Sequence, residues 1–379
     1  MNNRIDSNSI KFFLILLYFL AIGFLGGVAN FFLGTLILFF LLIYFKFSVS
    51  VKPLAISYGF LVIYSLIISL INFSNINLDL FQFLKNLMNF LNPVIFLALG
   101  IVIHKFVNSK IMINIIILTA LFFSVFHLAE LSLDSSIFES FSGTRDIVRN
   151  ATDIIPIALV IVLFRNEFCL EIKSKLAYFY EIIFTFSLLM SFSRTLILIF
   201  LVYSIVILFY GKTKGRFFIF FRYILFFSVF GFIFYMFIPE DIKIIFFTKI
   251  SDSLQEVKST NNWDNYYQIV HDWRGFEKYS AILQFKQYSI LSKIFGKGLS
   301  QGIYVGPYSE LLSFYDGYIP FLHNGYYTIL IKLGLVGVFY YLFFVLGNII
   351  FYIKKIKYNT YYIIVVALLS GVLISTYIV

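Results

Sequence analysis

Charged side chains are scarce in this chain: 13% of its 379 residues are Asp, Glu, Lys or Arg, against about 25% in a soluble globule. That shortage excludes a chain kept in water by a solvated surface. Cysteine is almost missing too. The single Cys169 excludes an intramolecular disulfide and any cysteine-cluster metal site. There is no Gly-rich phosphate loop of the Walker type, so ATP-driven chemistry is not expected. No Asp-x-Asp pair is present to hold a metal and a nucleotide sugar, and no His/Asp/Glu group has metal-ligand spacing. No cofactor is therefore expected. The apolar stretch from Ile10 is long and has no clear small-residue cleavage site. It runs into a second apolar stretch, so it reads as a first span rather than a cleaved signal. No tandem repeat of fixed period is visible.

What the chain does contain is apolar. Hydrophobic residues make up 61% of it, with 51 Phe and 27 Tyr, and the mean hydropathy is +0.93. One core of this size cannot hide so many apolar side chains, and lipid must cover part of them. A span takes about 20 mostly apolar residues. Candidates are 10–27, 29–45, 53–73, 87–104, 111–130, 151–165, 176–192, 195–211, 217–238, 324–352 and 361–379; the segment 151–165 is short for a span. The expected fold is all-α, a polytopic membrane protein of about 10–12 transmembrane helices. Residues 1–238 form a bundle of nine spans, 239–322 a large extracytoplasmic loop, and 323–379 the last helices.

The net charge of +10 would point to nucleic acid in a soluble protein. Here it reports orientation, because Lys and Arg gather on cytoplasmic loops, and no nucleic-acid partner is expected. With the N-terminus inside, the inside ends carry Arg4, Lys11, Lys46, Lys52, Lys105, Lys110, Arg165, Lys173, Lys175, Lys212, Lys214, Arg216, Arg222, Lys354, Lys355 and Lys357. The short outside segments carry only Lys85, Arg145, Arg149 and Arg194. The loop 239–322 falls outside, with nine acids against eight bases. Its stretch from Asp272 to Phe295 predicts one or two short helices at the membrane surface. Gly296, Gly298 and Gly302 then mark turns. This layout leaves the C-terminus outside.

A few residues could carry chemistry. Arg194, in Ser191-Phe192-Ser193-Arg194-Thr195, is either a helix-end anchor or an anion ligand whose planar fork fits phosphate oxygens. Arg274, in His271-Asp272-Trp273-Arg274-Gly275-Phe276-Glu277, is either a solvated ion pair or part of such a site. Arg145 and Arg149, four apart, would share a helix face and touch lipid phosphates or a charged headgroup. His323, where the long loop re-enters the membrane, suits a general base or a structural role. Lys332 and Glu181 fall inside predicted spans, where charge is costly, and Glu181 is one candidate partner for Lys332. Gly334 and Gly337 would allow close helix packing.

Together these residues resemble the bacterial O-antigen polymerase and O-antigen ligase superfamily. Four features carry the resemblance: Ser193-Arg194 opening a span; the large late outside loop; Arg274 near the start of a loop helix with Phe295-Gly296-Lys297-Gly298-Leu299 behind it; and His323-Asn324 trailed by Gly334-Leu335-Val336-Gly337. They cover residues 191–337. The resemblance implies a metal-independent membrane glycosyltransferase of the C type, in the bacterial cytoplasmic (inner) membrane, with its active site facing the periplasm. Its donor and acceptor would be oligosaccharides on polyprenyl diphosphate, and polyprenyl diphosphate would leave. Arg194 and Arg274 would bind the diphosphate, and His323 would take the acceptor proton. Arg145 and Arg149 are weaker additions from the charge pattern. Membrane lipids and a chain-length regulator protein are the further expected partners. The leading expectation is a polymerase of repeat units. The alternatives are a ligase passing polysaccharide to lipid A core, and a transporter or flippase of the lipid-linked sugar. Only one span follows the 324–352 helix, whereas family members more often continue with another span or two.

Overall fold

The structure, a computed structural model, describes residues 7–44, 53–72, 80–133, 152–237, 240, 243–244, 263, 266–312, 314 and 316–378. These residues are mainly helical. The helices are α1 (Ser7–Phe24), α2 (Gly27–Tyr44), α3 (Pro53–Ile71), α4 (Leu80–Phe106), α5 (Ser109–Leu133), α6 (Ile155–Leu163), α7 (Ser174–Met190), α8 (Arg194–Tyr210), α9 (Arg216–Phe237), α10 (Tyr266–His271), α11 (Trp273–Gln287), α12 (Ile290–Phe295), α13 (Gly325–Lys355) and α14 (Tyr362–Ile378). Each of the eleven candidate spans falls on one of α1–α9, α13 and α14. By length and composition, α2, α4, α5 and α13 can each cross a membrane, while α1, α3, α6, α8 and α14 are shorter apolar helices. The loop stretch expected to be helical forms α11 and α12, with a break at Tyr288-Ser289.

The chain divides into two compact units, each assembled from separate stretches: 1–26, 104–250 and 349–372 in the first, 27–103, 251–348 and 373–379 in the second.

In the first unit the core is built around α6. All nine of its residues, Ile155 to Leu163, are buried against α5, α7 and α8. Pro156 stands at its first turn, where a missing N–H costs nothing. Nine residues rise only about 14 Å, half of a ~30 Å hydrocarbon layer. The segment 151–165 is therefore a half-length helix rather than a full crossing, preceded by a 3-10 turn at Thr152–Ile154. Its chain exit meets the other ends that carry the predicted inside charges. Lys110, at the start of α5, pairs with Glu171 at 3.1 Å. The Phe168 and Tyr361 rings stack, and Lys212 Nζ donates to the Lys357 carbonyl at 3.4 Å. The ends gathered here are those the charge pattern assigns to one side.

Glu167 ties this cluster. Its carboxylate accepts the backbone N–H groups of Lys212 and of Thr213, the latter at 2.7 Å. Burial pushes the carboxyl up, but those hydrogen bonds, the Thr213 hydroxyl and the charge of Arg216 together hold it below its ordinary 4.5. A carboxyl depressed on folding stabilises the fold above its unfolded value and loses that contribution as pH falls through the folded one. Glu167→Gln should therefore lower the melting temperature in detergent at pH 7, and the gap to wild type should narrow as the pH falls below 4.5.

In the second unit the helix α4 begins seven residues before the predicted span, because Asn86 interrupts the apolar run without interrupting the helix. Its side chain is buried and donates to the Leu299 carbonyl at 3.1 Å. The loop has its own core of Ile269, Phe276, Ile303, Val305, Ile319 and Leu322, with Ile331 of α13 added. Two short strands, β1 (Ile303–Tyr304) and β2 (Tyr318–Ile319), pair antiparallel, with Ile303 opposite Ile319 and Tyr304 opposite Tyr318. This hairpin has no counterpart in the helical expectation. Two-residue strands carry too little alternation to be read from sequence.

Candidate functional site

The site is built where the loop returns to α13. Asn324 caps that helix: its Oδ1 accepts the N–H of Tyr326 at 3.1 Å and of Tyr327 at 3.3 Å. Its amide donates to the Tyr377 carbonyl at 2.8 Å, so the start of α13 is tied to the end of α14. Gly325 follows because a Cβ there would lie 2.9 Å from the Thr376 methyl. Helix propensity yields to close packing at this position. His323 thus precedes a pinned helix start, and its backbone is fixed.

Its side chain is fixed as well. His323 Nδ1 lies 2.9 Å and 3.0 Å from the two carboxylate oxygens of Glu277, and the His323 N–H donates to the same carboxylate at 3.0 Å. Trp273 Nε1 donates to Glu277 Oε1 at 2.7 Å. The Glu277 side chain is 3% exposed, whereas that of His323 is 43% exposed. A carboxylate only accepts, so Nδ1 is the nitrogen that donates, and in the neutral ring Nε2 is the one with the lone pair. Nε2 makes no hydrogen bond among the described residues. The result is an oriented, partly exposed imidazole, the arrangement by which an acid fixes the tautomer of a catalytic histidine.

Arg274 is the second residue of α11, about one turn before Glu277, on a neighbouring face at i and i+3. It is half-buried. Asp272 caps this helix, accepting the Gly275 N–H at 2.9 Å. One helix therefore presents a cation and the acid that orients His323. Glu277 is the residue that sequence reading did not single out. A carboxylate on the same stripe as Trp273, Phe276 and Ser280 was the available signal, because that stripe faces a core.

Arg194 belongs to the first unit. It is the first residue of α8, after the tight turn Ser191-Phe192-Ser193. Ser193 Oγ accepts the Leu196 N–H at 3.4 Å, Ser191 Oγ accepts the Ser193 N–H at 3.2 Å, and Phe192 takes φ of +47°. An aromatic residue in the left-handed region is uncommon and costs about 1–2 kcal/mol, so this turn is held by its surroundings. Arg145 and Arg149 lie outside the described residues.

The two charges inside predicted spans have separate partners. Glu181 pairs with Arg165 at 3.3 Å. Lys332 is wholly buried, and its Nζ donates to the Leu299 and Gln301 carbonyls, each at 2.9 Å. Lys332 is thus a structural clamp on the loop, and Glu181 is not required as its counter-charge. The clamp has a second half. α13 breaks at Gly334 (φ +65°, ψ −166°), which frees the Lys332 carbonyl to accept the N–H groups of Lys297 at 3.1 Å and Gly298 at 2.7 Å. Tyr64 Oη adds a bond to the Phe295 carbonyl at 2.8 Å. The motifs Phe295-Gly296-Lys297-Gly298-Leu299 and Gly334-Leu335-Val336-Gly337 are therefore one joint. It anchors the loop to α13 about three turns from His323.

Along α11 runs an open cleft of about 670 Å³. Helix residues Phe276, Ser280, Leu283 and Gln287 form one wall, and Tyr304, Tyr308 and Tyr318 face them. Compared with known proteins, the chain matches no family model, no curated protein and no solved structure.

Proposed function

We propose that this protein is a metal-independent membrane glycosyltransferase that joins oligosaccharide repeat units carried on polyprenyl diphosphate, acting as an O-antigen polymerase of the C type at the outer face of a bacterial cytoplasmic membrane. The observation that supports it most is the Glu277–His323 pair, a partly exposed imidazole with Nδ1 engaged and no hydrogen bond at Nε2 among the described residues. In the proposed reaction a sugar hydroxyl of the acceptor attacks the anomeric carbon of the donor. The bond from that carbon to the diphosphate oxygen breaks, polyprenyl diphosphate leaves, and the hydroxyl proton passes to His323 Nε2. Negative charge gathers on the departing diphosphate. Arg274, half-buried and three residues before Glu277 on α11, carries the planar guanidinium that would bind it. The family resemblance gives Arg194 the same role.

Product analysis in cells tests this reading. Arg274→Ala and Arg194→Ala should each shift the surface glycan from long chains to single repeat units on lipid A core, with the mutant proteins still present in the membrane. Long chains from both mutants would remove the arginines from the mechanism. Polymer accumulating on the polyprenyl carrier would make the protein a ligase. Lipid-linked units trapped on the inner leaflet would make it a transporter.

A further inference from the structure

The cleft beside α11 has a chemistry of its own. Five tyrosines line it: Tyr279, Tyr288, Tyr304, Tyr308 and Tyr318. Among the described residues no Asp or Glu lines it, and the one cation, Lys297, holds its ammonium 4.5 Å from the centre of the Tyr288 ring. Gln284 braces the cleft from behind. Its Nε2 donates to the Gly302 carbonyl at 2.9 Å and to Tyr288 Oη at 3.2 Å, and its Oε1 accepts the Tyr304 N–H at 2.9 Å. The rings are held at angles, Tyr304 against Tyr318 with centroids 5.2 Å apart and Phe276 against Tyr308 likewise at 5.2 Å. Tyr304 is 55% exposed, so its ring is available to a ligand.

An anion has little to bind in such a cleft, and an alkyl tail would strand the phenol hydroxyls. A pyranose fits both features: its C–H face lies on an aromatic ring while its equatorial hydroxyls meet phenols and amides. The volume falls within the ~300–1,000 Å³ of ligand sites and the cleft is open, which suits a short chain of sugar rings. We infer that this cleft is a binding site for a neutral oligosaccharide and holds the acceptor chain. Its role as acceptor site rests on the glycosyltransferase reading; its affinity for sugar does not. The cleft wall residues Phe276 and Ser280 flank Glu277 on α11, so one helix both holds the chain and orients the imidazole.

The test uses the full chain in detergent. The probe is the oligosaccharide released by mild acid from the surface polysaccharide of cells that make this protein, read by saturation-transfer NMR. Wild type should bind it, and Tyr304→Ala should weaken binding about tenfold, roughly 1.4 kcal/mol. Tyr304→Phe, which keeps the ring, should stay within about threefold of wild type. Gln287→Ala, on the exposed rim, gives a second reading that does not touch the hairpin and should also weaken binding. Equal binding by wild type, Tyr304→Ala and Gln287→Ala overturns the proposal. So does capture of a proline-rich peptide in place of the sugar, since aromatic grooves also take such segments. His323→Ala separates the two claims. It should bind the oligosaccharide like wild type while failing to extend it. Binding lost with Tyr304→Ala while His323→Ala still extends chains would leave the cleft standing and remove the catalytic reading.

Discussion

Glu277→Gln should cut chain extension about a hundredfold or more while the protein remains folded, and His323→Ala should cut it by about 10²–10⁴-fold, the usual worth of a general base. The glutamine keeps the size of the side chain, and its amide oxygen can still accept from Trp273 Nε1 or the His323 N–H. What it loses is the second acceptor oxygen facing Nδ1. An amide N–H aimed at Nδ1 favours the tautomer with the proton on Nε2, and an Nε2 that already carries a proton cannot accept one. Initial rates with purified protein and lipid-linked substrate read this directly. The double variant should lose no more than His323→Ala alone, since the two residues act as one unit. Near-normal rates for Glu277→Gln would reduce the carboxylate to a packing role.

Gly334→Ala should have the largest effect on stability. Its φ of +65° with ψ of −166° lies in a region that glycine alone occupies readily, at a cost of ~1–3 kcal/mol for another residue. A Cβ there would also stand 2.4 Å from the Ile294 carbonyl oxygen and 2.5 Å from the Gly296 nitrogen, both backbone atoms that cannot turn away. Overpacking of that kind adds about 1–3 kcal/mol. Together these approach the ~5–15 kcal/mol that holds a typical domain, so the variant should melt far below wild type in detergent or fail to accumulate. Gly347→Ala is the control in the same helix. Nothing lies within 4 Å of its Cβ position, and alanine there should be neutral or stabilising by up to about 1 kcal/mol. If both variants melt alike, the joint between α13 and the loop is not what holds the loop in place.

The helices were legible because apolar runs of span length leave few other structures. The failures share a cause in partners far along the chain. α4 begins before the predicted span because Asn86 is satisfied by Leu299, 213 residues away. Glu277 and His323 are separated by 46 residues, so the histidine could be proposed from its place after the loop while its orienting acid could not. The glycines of 295–299 and 334–337 were read separately as turn and packing signals. Only the fold shows that Gly296 and Gly334 each remove a Cβ from the path of the other's backbone. Lys332 was visible as an expensive charge, but carbonyl acceptors have no signature in side-chain identity, so its partners could not be named.

The β1–β2 pair has a further effect. By holding Ile303 opposite Ile319, and with the Val305 N–H donating to the Gly317 carbonyl at 2.9 Å, it stitches together the two feet of the arm that joins the strands. The length of such an arm is cheap to change, since doubling a loop costs only about 0.6 kcal/mol. Tyr308 is on the arm, while His323, Glu277 and the Gly334 joint are all off it. The molecule thus separates a replaceable fingertip from a fixed wrist. On the proposed reading, related chains could exchange the fingertip to accept a different glycan without resetting the imidazole.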